Sequence, residues 1–141
     1  MKIIFAGTPK FAAEHLSILL QGKHEIVAVL TQPDRKSGRG KKISFSAVKE
    51  VALKNNLEVL QPVSLKDSEI QESLSNLKPD IILVVAYGLL VPKSVLGLPK
   101  LGCINIHASL LPRWRGASPI ESCIAAGDSE SGITMMKMSE G

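Results

Sequence analysis

The 141 residues hold two cysteines, three histidines, one tryptophan and one tyrosine, and each scarcity removes a class of explanation. Cys103 and Cys123 are too few for the disulfide framework of a small secreted scaffold, and without clustered histidines they make no zinc site; two reduced, buried thiols are expected. No apolar run approaches the roughly 18 to 20 residues of a membrane span. Met1-Lys2 leads into a short apolar segment rather than a longer one with a small-residue cleavage site, so the chain is expected to stay in the cytoplasm. Gly7-Thr8-Pro9 stands where a dinucleotide-binding fold would carry Gly-x-Gly-x-x-Gly, yet only the first glycine is there. Nicotinamide and flavin binding are therefore disfavoured, and a tight strand-to-helix turn explains these residues.

What remains suits one globular domain with a core of useful size: hydrophobic residues make up 45% and charged residues 21%. Short apolar runs alternate with helical patterns along the whole length. Strands are expected at residues 2–6, 25–31, 57–60, 80–85, 102–107 and 133–138, the third of these being cut short by Pro62 and the run Asp80-Ile81-Ile82-Leu83-Val84-Val85 being the strongest buried-strand signal. Helices are expected from Pro9 to about Leu20 with Thr8 as N-cap, over residues 46–55 and 67–77, for one turn near 92–95, and from the capping box Ser118-Pro119-Ile120-Glu121 to Gly127. Such alternation implies an α/β fold, Rossmann-like, with a mainly parallel sheet and helices on both faces. Ligands of such sheets bind at the carboxyl ends of the strands, where Thr8, Tyr87-Gly88 and residues 105–107 all fall. The strand order is not legible, and no repeat, low-complexity tract or interdomain linker is visible.

The feature richest in chemistry is Asn105-Ile106-His107 at the end of one expected strand. By the period of two, Cys103, Asn105 and His107 share one face and Ile104 and Ile106 the other, so an amide and an imidazole sit roughly 6.5 to 7 Å apart and can bracket one reacting atom. An amide can donate to a developing oxyanion, and a histidine can do the same while relaying a proton. Ser109 lacks the Gly-x-Ser-x-Gly setting of a serine nucleophile.

Charge is also localised. The formal net charge is +4, and Arg35, Lys36, Arg39, Lys41 and Lys42 place five cations within eight residues; the remainder carries 12 basic against 13 acidic groups. With Gly38 and Gly40 between them, these cations read either as a solvated surface loop or as an arm that contacts phosphates and releases counterions.

The ordered set of Asn105-Ile106-His107, Ser109-Leu110-Leu111-Pro112 and Gly116, preceded by Phe5-Ala6-Gly7-Thr8-Pro9, Gln32-Pro33-Asp34-Arg35, Gly38-Arg39-Gly40-Lys41-Lys42 and Val85-Ala86-Tyr87-Gly88, resembles the folate-dependent formyltransferases, and among them those that act on methionyl-tRNA. The resemblance runs from Met1 to Gly141, which would be only the first part of a full-length enzyme. It implies the formyltransferase fold and transfer of a formyl group from 10-formyltetrahydrofolate to the α-amino group of methionyl-initiator tRNA, in translation initiation. It further implies that Asn105 and His107 are catalytic and that Ser109, Leu110, Leu111 and Pro112 line the reduced-folate site. Tyr87, Gly88 and Leu89 would then add pterin contacts, while Arg35, Lys36, Arg39, Lys41 and Lys42 would reach the acceptor end of the tRNA. Trp114 and Arg115 would lie at the mouth. No metal, membrane or obligate protein partner is implied.

A free imidazole titrates near about pH 6.5, so His107 needs a carboxylate partner to stay charged at neutral pH. The resemblance supplies that partner as an aspartate shortly after Glu140-Gly141, with a C-terminal tRNA-binding domain beyond; Asp128 does not match its position. The chain is accordingly expected to be an N-terminal formyltransferase domain over residues 1–141, incomplete at its C-terminal end and poorly active or inactive. Two alternatives stand beside this reading: a folate- or tRNA-binding module without catalysis, and a formyltransferase acting on a purine precursor or an amino-sugar nucleotide, against which the basic loop argues.

Overall fold

A computed structural model describes residues 1–40, 42–116 and 118–140. In chain order its elements are β1 (Lys2–Gly7), α1 (Lys10–Leu19), β2 (Glu25–Leu30), β3 (Arg35–Ser37), β4 (Lys42–Ser44), α2 (Ala47–Lys54), β5 (Val59–Leu60), α3 (Ser68–Asn76), β6 (Ile81–Val85), α4 (Lys93–Leu96), β7 (Cys103–His107), α5 (Pro119–Ala125) and β8 (Thr134–Lys137). Six strands form one sheet in the order β5-β2-β1-β6-β7-β8, parallel except for β8, which runs antiparallel to β7. The chain lays strands outward from β1 to β5, then returns to the other side of β1 with β6. Strand order therefore reverses between β1 and β6, the point at which such sheets open a crevice for ligands.

The sheet is covered on both faces, which is why its central strands are apolar without alternation. Ile3 and Phe5 of β1 pack with Ala12 and Leu16 of α1 and Val48 and Ala52 of α2 on one face. Ile4 and Ala6 pack on the other with Leu74 of α3, Val95 of α4 and Tyr87. Burying each large aliphatic or aromatic side chain of this kind contributes roughly 1.5 to 3 kcal/mol, so the two layers supply most of the drive for the fold. Gly7 lets β1 turn directly into α1: a Cβ there would stand 2.6 Å from Ala12 Cβ and 2.7 Å from the Val85 carbonyl oxygen.

Several local expectations change. Thr8 does not cap α1; Pro9 is the N-cap, without a side-chain bond, because the Thr8 hydroxyl donates across the switch point to the Tyr87 carbonyl at 2.9 Å. Ser118 makes no cap bond either, its backbone lying at φ −130° and ψ 56°, although Pro119 opens α5 as expected. The basic segment is not a plain loop but a two-stranded antiparallel ribbon, β3 with β4, turning through Gly38 (φ 74°) and Gly40 (φ 91°). Ser46 does act as a cap, accepting from the Lys49 amide at 3.0 Å, as does Asp67 from Glu69 at 3.0 Å.

Candidate functional site

The period-two reading of β7 holds in three dimensions. Ile104 and Ile106 pack against the α1–α2 layer, Cys103 is fully buried in the opposite layer, and Asn105 and His107 follow it on that same side, half-buried. Both line one open cavity of about 690 Å³, within the range of a small-molecule site. Leu111 and Pro112 form part of its wall together with Met136, which pairs in register with Asn105 across β7–β8. Arg115 and Gly116 complete it, so among the described residues the lining places one guanidinium beside the imidazole.

The His107 ring is oriented by the chain itself. Its Nε2 lies 2.9 Å from the Trp114 carbonyl oxygen, and since a carbonyl only accepts, Nε2 carries the proton. Trp114 sits at φ 59°, a left-handed conformation that bulky residues avoid, and its indole Nε1 donates to Asp128 at 2.5 Å. Arg113 donates to both oxygens of the same carboxylate, at 2.9 and 2.6 Å, and lies over the indole ring, 4.2 Å from its centroid. These donors hold the Asp128 carboxyl well below the usual carboxylate range, Arg113 first and Trp114 second, and the same pairing raises Arg113. Among the described residues no carboxylate pairs with His107.

Ser109 and Leu110 take other positions. Ser109 is fully buried; its hydroxyl donates to the Arg113 carbonyl at 2.8 Å and its own carbonyl accepts from Thr134 Oγ1 at 2.7 Å. Thr134 Oγ1 also accepts from the Leu111 amide at 3.1 Å, so one β8 hydroxyl pins the turn that walls the cavity. Leu110, half-exposed, faces a separate cleft of about 260 Å³ that Arg113, Trp114 and Asp128 also line. The peptide between Leu111 and Pro112 is cis.

Tyr87 is present at the switch point through its backbone, not its ring. The carbonyl accepts from Thr8 Oγ1 and from Gln32 Nε2, at 2.9 and 3.0 Å, while the ring lies in the core with its hydroxyl unpartnered among the described residues. Burial pushes that phenol up to about 12 and the Cys103 thiol up to about 11. Gly88, at φ 87°, leaves room that a Cβ would take from the Gln32 side chain. Neither Gly88 nor the half-buried Leu89 is among the residues lining the cavity of Asn105 and His107.

The cations of the ribbon stand exposed. Arg35, Lys36, Arg39 and Lys42 take part in none of the ion pairs among the described residues; Lys41 lies outside the described residues. Arg35 Nη2 instead donates to Gln32 Oε1 at 2.5 Å, linking the ribbon's base to the switch point. Asp34 beside it is claimed by Lys49 at 2.8 Å and Gln61 at 2.8 Å, which lower its pKa. Thr8, Gln32, Arg35 and Ser46 line a third cleft of about 250 Å³ at this end of the sheet. Thr134, Met136 and Asp128 are site residues that no sequence motif marks, since their roles come from strand pairing and loop closure, while Gln32 lies in a quoted motif without its tie to Tyr87 being legible there.

Against known proteins, the family model described as formyl transferase matches residues 1–141. The methionyl-tRNA formyltransferase of Pseudomonas fluorescens (strain Pf0-1) is 60% identical over the whole chain, which covers 44% of that relative. The methionyl-tRNA formyltransferase of Pseudomonas paraeruginosa (strain DSM 24068 / PA7) is 58% identical, with 46% of it covered. The chain thus spans less than half the length of these relatives. Among solved structures, phosphoribosylglycinamide formyltransferase from Bacillus halodurans superposes with a TM-score of 0.73 at 20% identity, over 100% of this chain and 73% of that one. Glycinamide ribonucleotide transformylase 1 from Geobacillus kaustophilus gives 0.73 at 24% identity, over 99% and 74%. The fold of the six-stranded sheet is that of these Rossmann-like formyltransferases.

Proposed function

The chain belongs to the formyl transferase family, and on that premise we propose that it is the N-terminal domain that binds the formyl donor and carries the chemical groups of a methionyl-tRNA formyltransferase working in cytoplasmic translation initiation. The observation that carries this reading is the shared cavity: Asn105 and His107 project from one strand face into one space whose apolar wall, Leu111, Pro112 and Met136, suits a flat heterocycle. The formyl group of 10-formyltetrahydrofolate is placed against the two polar groups. The α-amine of the acceptor methionine forms a bond to the formyl carbon, and the carbonyl becomes a tetrahedral oxyanion. Asn105 donates to that oxygen, and His107 exchanges a proton with the reacting groups. Collapse breaks the bond from carbon to N10, which takes up a proton as the amine gives one away. A single oxyanion donor is worth roughly 2.7 to 4 kcal/mol of barrier.

The acceptor side rests on the ribbon. Four described cations without acidic partners, on a segment tied to the switch point through Arg35 and Gln32, suit the phosphates of the tRNA acceptor end, and Lys41 would add a fifth. The identity of 58% to 60% with methionyl-tRNA formyltransferases favours this acceptor over the purine precursors named in the structural neighbours, whose 20% to 24% identity speaks to fold alone.

One observation favours a second reading, a folate- or tRNA-binding unit with little turnover: among the described residues no carboxylate contacts His107 to assist it in proton exchange. Calorimetric titration with 5-formyltetrahydrofolate, paired with single-turnover formylation of charged initiator tRNA, separates the two. Binding with formylation supports the first reading and binding without it the second, while absence of folate binding overturns the first and leaves only the tRNA-binding form of the second.

A further inference from the structure

We propose that Asp128 is a positioning residue for His107, acting through Trp114 to fix which imidazole nitrogen is free for proton exchange. This rests on the assignment of His107 above, but its physical content is the chain of contacts alone. Trp114 is held from two sides: its carbonyl takes the His107 Nε2 proton at 2.9 Å, and its indole Nε1 gives a proton to Asp128 at 2.5 Å. Its backbone lies in the left-handed region at φ 59°, where a tryptophan stays only if its surroundings hold it there. Asp128 supplies that hold. It is bound bidentately by Arg113, and the Arg113 guanidinium covers the indole face, so the carboxylate, the guanidinium and the indole form one clamp.

The consequence for His107 follows from its two nitrogens. With Nε2–H engaged by a backbone carbonyl, a neutral ring keeps its lone pair on Nδ1, and Nδ1 is the only nitrogen left to accept a proton from the attacking amine or return one. If the clamp opens, Trp114 can leave its strained conformation, its carbonyl turns away, and the ring is free to rotate and to exchange tautomers. Asp128 thus governs His107 without touching it or the substrate.

The chain offers its own internal control. Of its three histidines, His15 has Nδ1 on the Phe11 carbonyl at 2.8 Å, the opposite tautomer, far in sequence from the clamp. The test is ¹⁵N NMR of the 141-residue chain without substrate, at a pH where the rings are neutral. His107 is expected to show a single Nε2–H tautomer whose ring proton exchanges slowly with water. In Asp128→Ala that proton should exchange about tenfold faster or more, and the nitrogen shifts should move toward those of a free ring, while His15 stays unchanged. Asp128→Asn, which keeps an acceptor for the indole, should restore part of the wild-type signature. Trp114→Phe, which keeps the backbone carbonyl but loses the indole N–H and part of the ring under Arg113, should reproduce the Asp128→Ala change and stands in for it should that variant fail to fold. An unchanged His107 signal in a folded Asp128→Ala or Trp114→Phe chain overturns the proposal, as does an Nδ1–H tautomer in the wild type. No substrate takes part, so this outcome is independent of whether the chain formylates anything.

Discussion

The Thr8 hydroxyl and the Tyr87 carbonyl are joined by a hydrogen bond of 2.9 Å that closes the switch point between β1 and β6. Gln32 Nε2 donates to the same carbonyl at 3.0 Å, so loops after three different strands meet on one oxygen. The residue whose position before Pro9 reads as a helix cap is instead a cross-strand tie, and Tyr87, for which the resemblance implies a pterin contact, meets the switch point with its backbone carbonyl while its ring lies in the core.

Tyr87 is the one tyrosine of the chain, so phenolate absorbance reads it alone. Its folded pKa is raised from 10.0 to about 12 and that of Cys103 from 9.0 to about 11, both by burial. A raised folded value means stability that is full below the ordinary value and lost as pH rises through the folded one, here from about pH 9 upward. Phenolate absorbance should be absent while the chain is folded at pH values where free tyrosine is already ionised, and should appear together with unfolding. Tyr87→Phe removes a buried hydroxyl that has no partner and should raise the urea midpoint, by about 1 kcal/mol of stability.

Gly88→Ala should act in two ways at once. The backbone there lies at φ 87°, and the added methyl meets the Gln32 side chain, breaking its bonds to Tyr87 and Arg35. A loss of roughly 1 to 3 kcal/mol in denaturant unfolding is expected.

Acid should spare the Trp114 clamp over most of the ordinary carboxylate range. Asp128 has a folded pKa lowered below 3.8, chiefly by Arg113, so its contribution is full above 3.8 and is lost only as pH falls through the lowered value. Trp114 is the one tryptophan, and its fluorescence should stay constant from pH 7 down through 4 in a folded chain; Asp128→Asn should change it already at pH 7. A fluorescence transition centred near 4 in the wild type would contradict the clamp.

For the ribbon, Lys36→Ala, Arg39→Ala and Lys42→Ala combined should weaken tRNA binding and flatten its salt dependence. Each phosphate contact contributes roughly 0.7 to 0.9 to the slope of log K against log salt, so a triple variant should lose about 2 to 3. Filter binding at several salt concentrations reads this directly, and folate affinity should not change.

Much of the fold was legible because its signals are local. The run Ile81–Val85 is apolar throughout because both sheet faces are covered, and the alternation of Asn105 and His107 with Ile104 and Ile106 follows from a strand's period of two. What stayed hidden depends on long-range geometry. Thr8 finds Tyr87 across 79 positions, Met136 reaches the cavity only through the β7–β8 register, and Arg35, Lys36 and Lys42 lie in strands because their backbones pair, not because lysine and arginine favour it. Ser109 and Leu110 read as pocket residues beside Leu111 and Pro112, yet the turn sends one into the interior and the other to a neighbouring cleft.

The measurement closest to the core of the account compares Asn105→Ala with the wild type in two numbers, formylfolate affinity by calorimetry and single-turnover formylation rate. Affinity within about threefold of wild type is expected, with a rate lower by roughly two to three orders of magnitude, because the amide acts on charge that develops only in the transition state. A rate unchanged by the substitution, or an affinity loss as large as the rate loss, would contradict it.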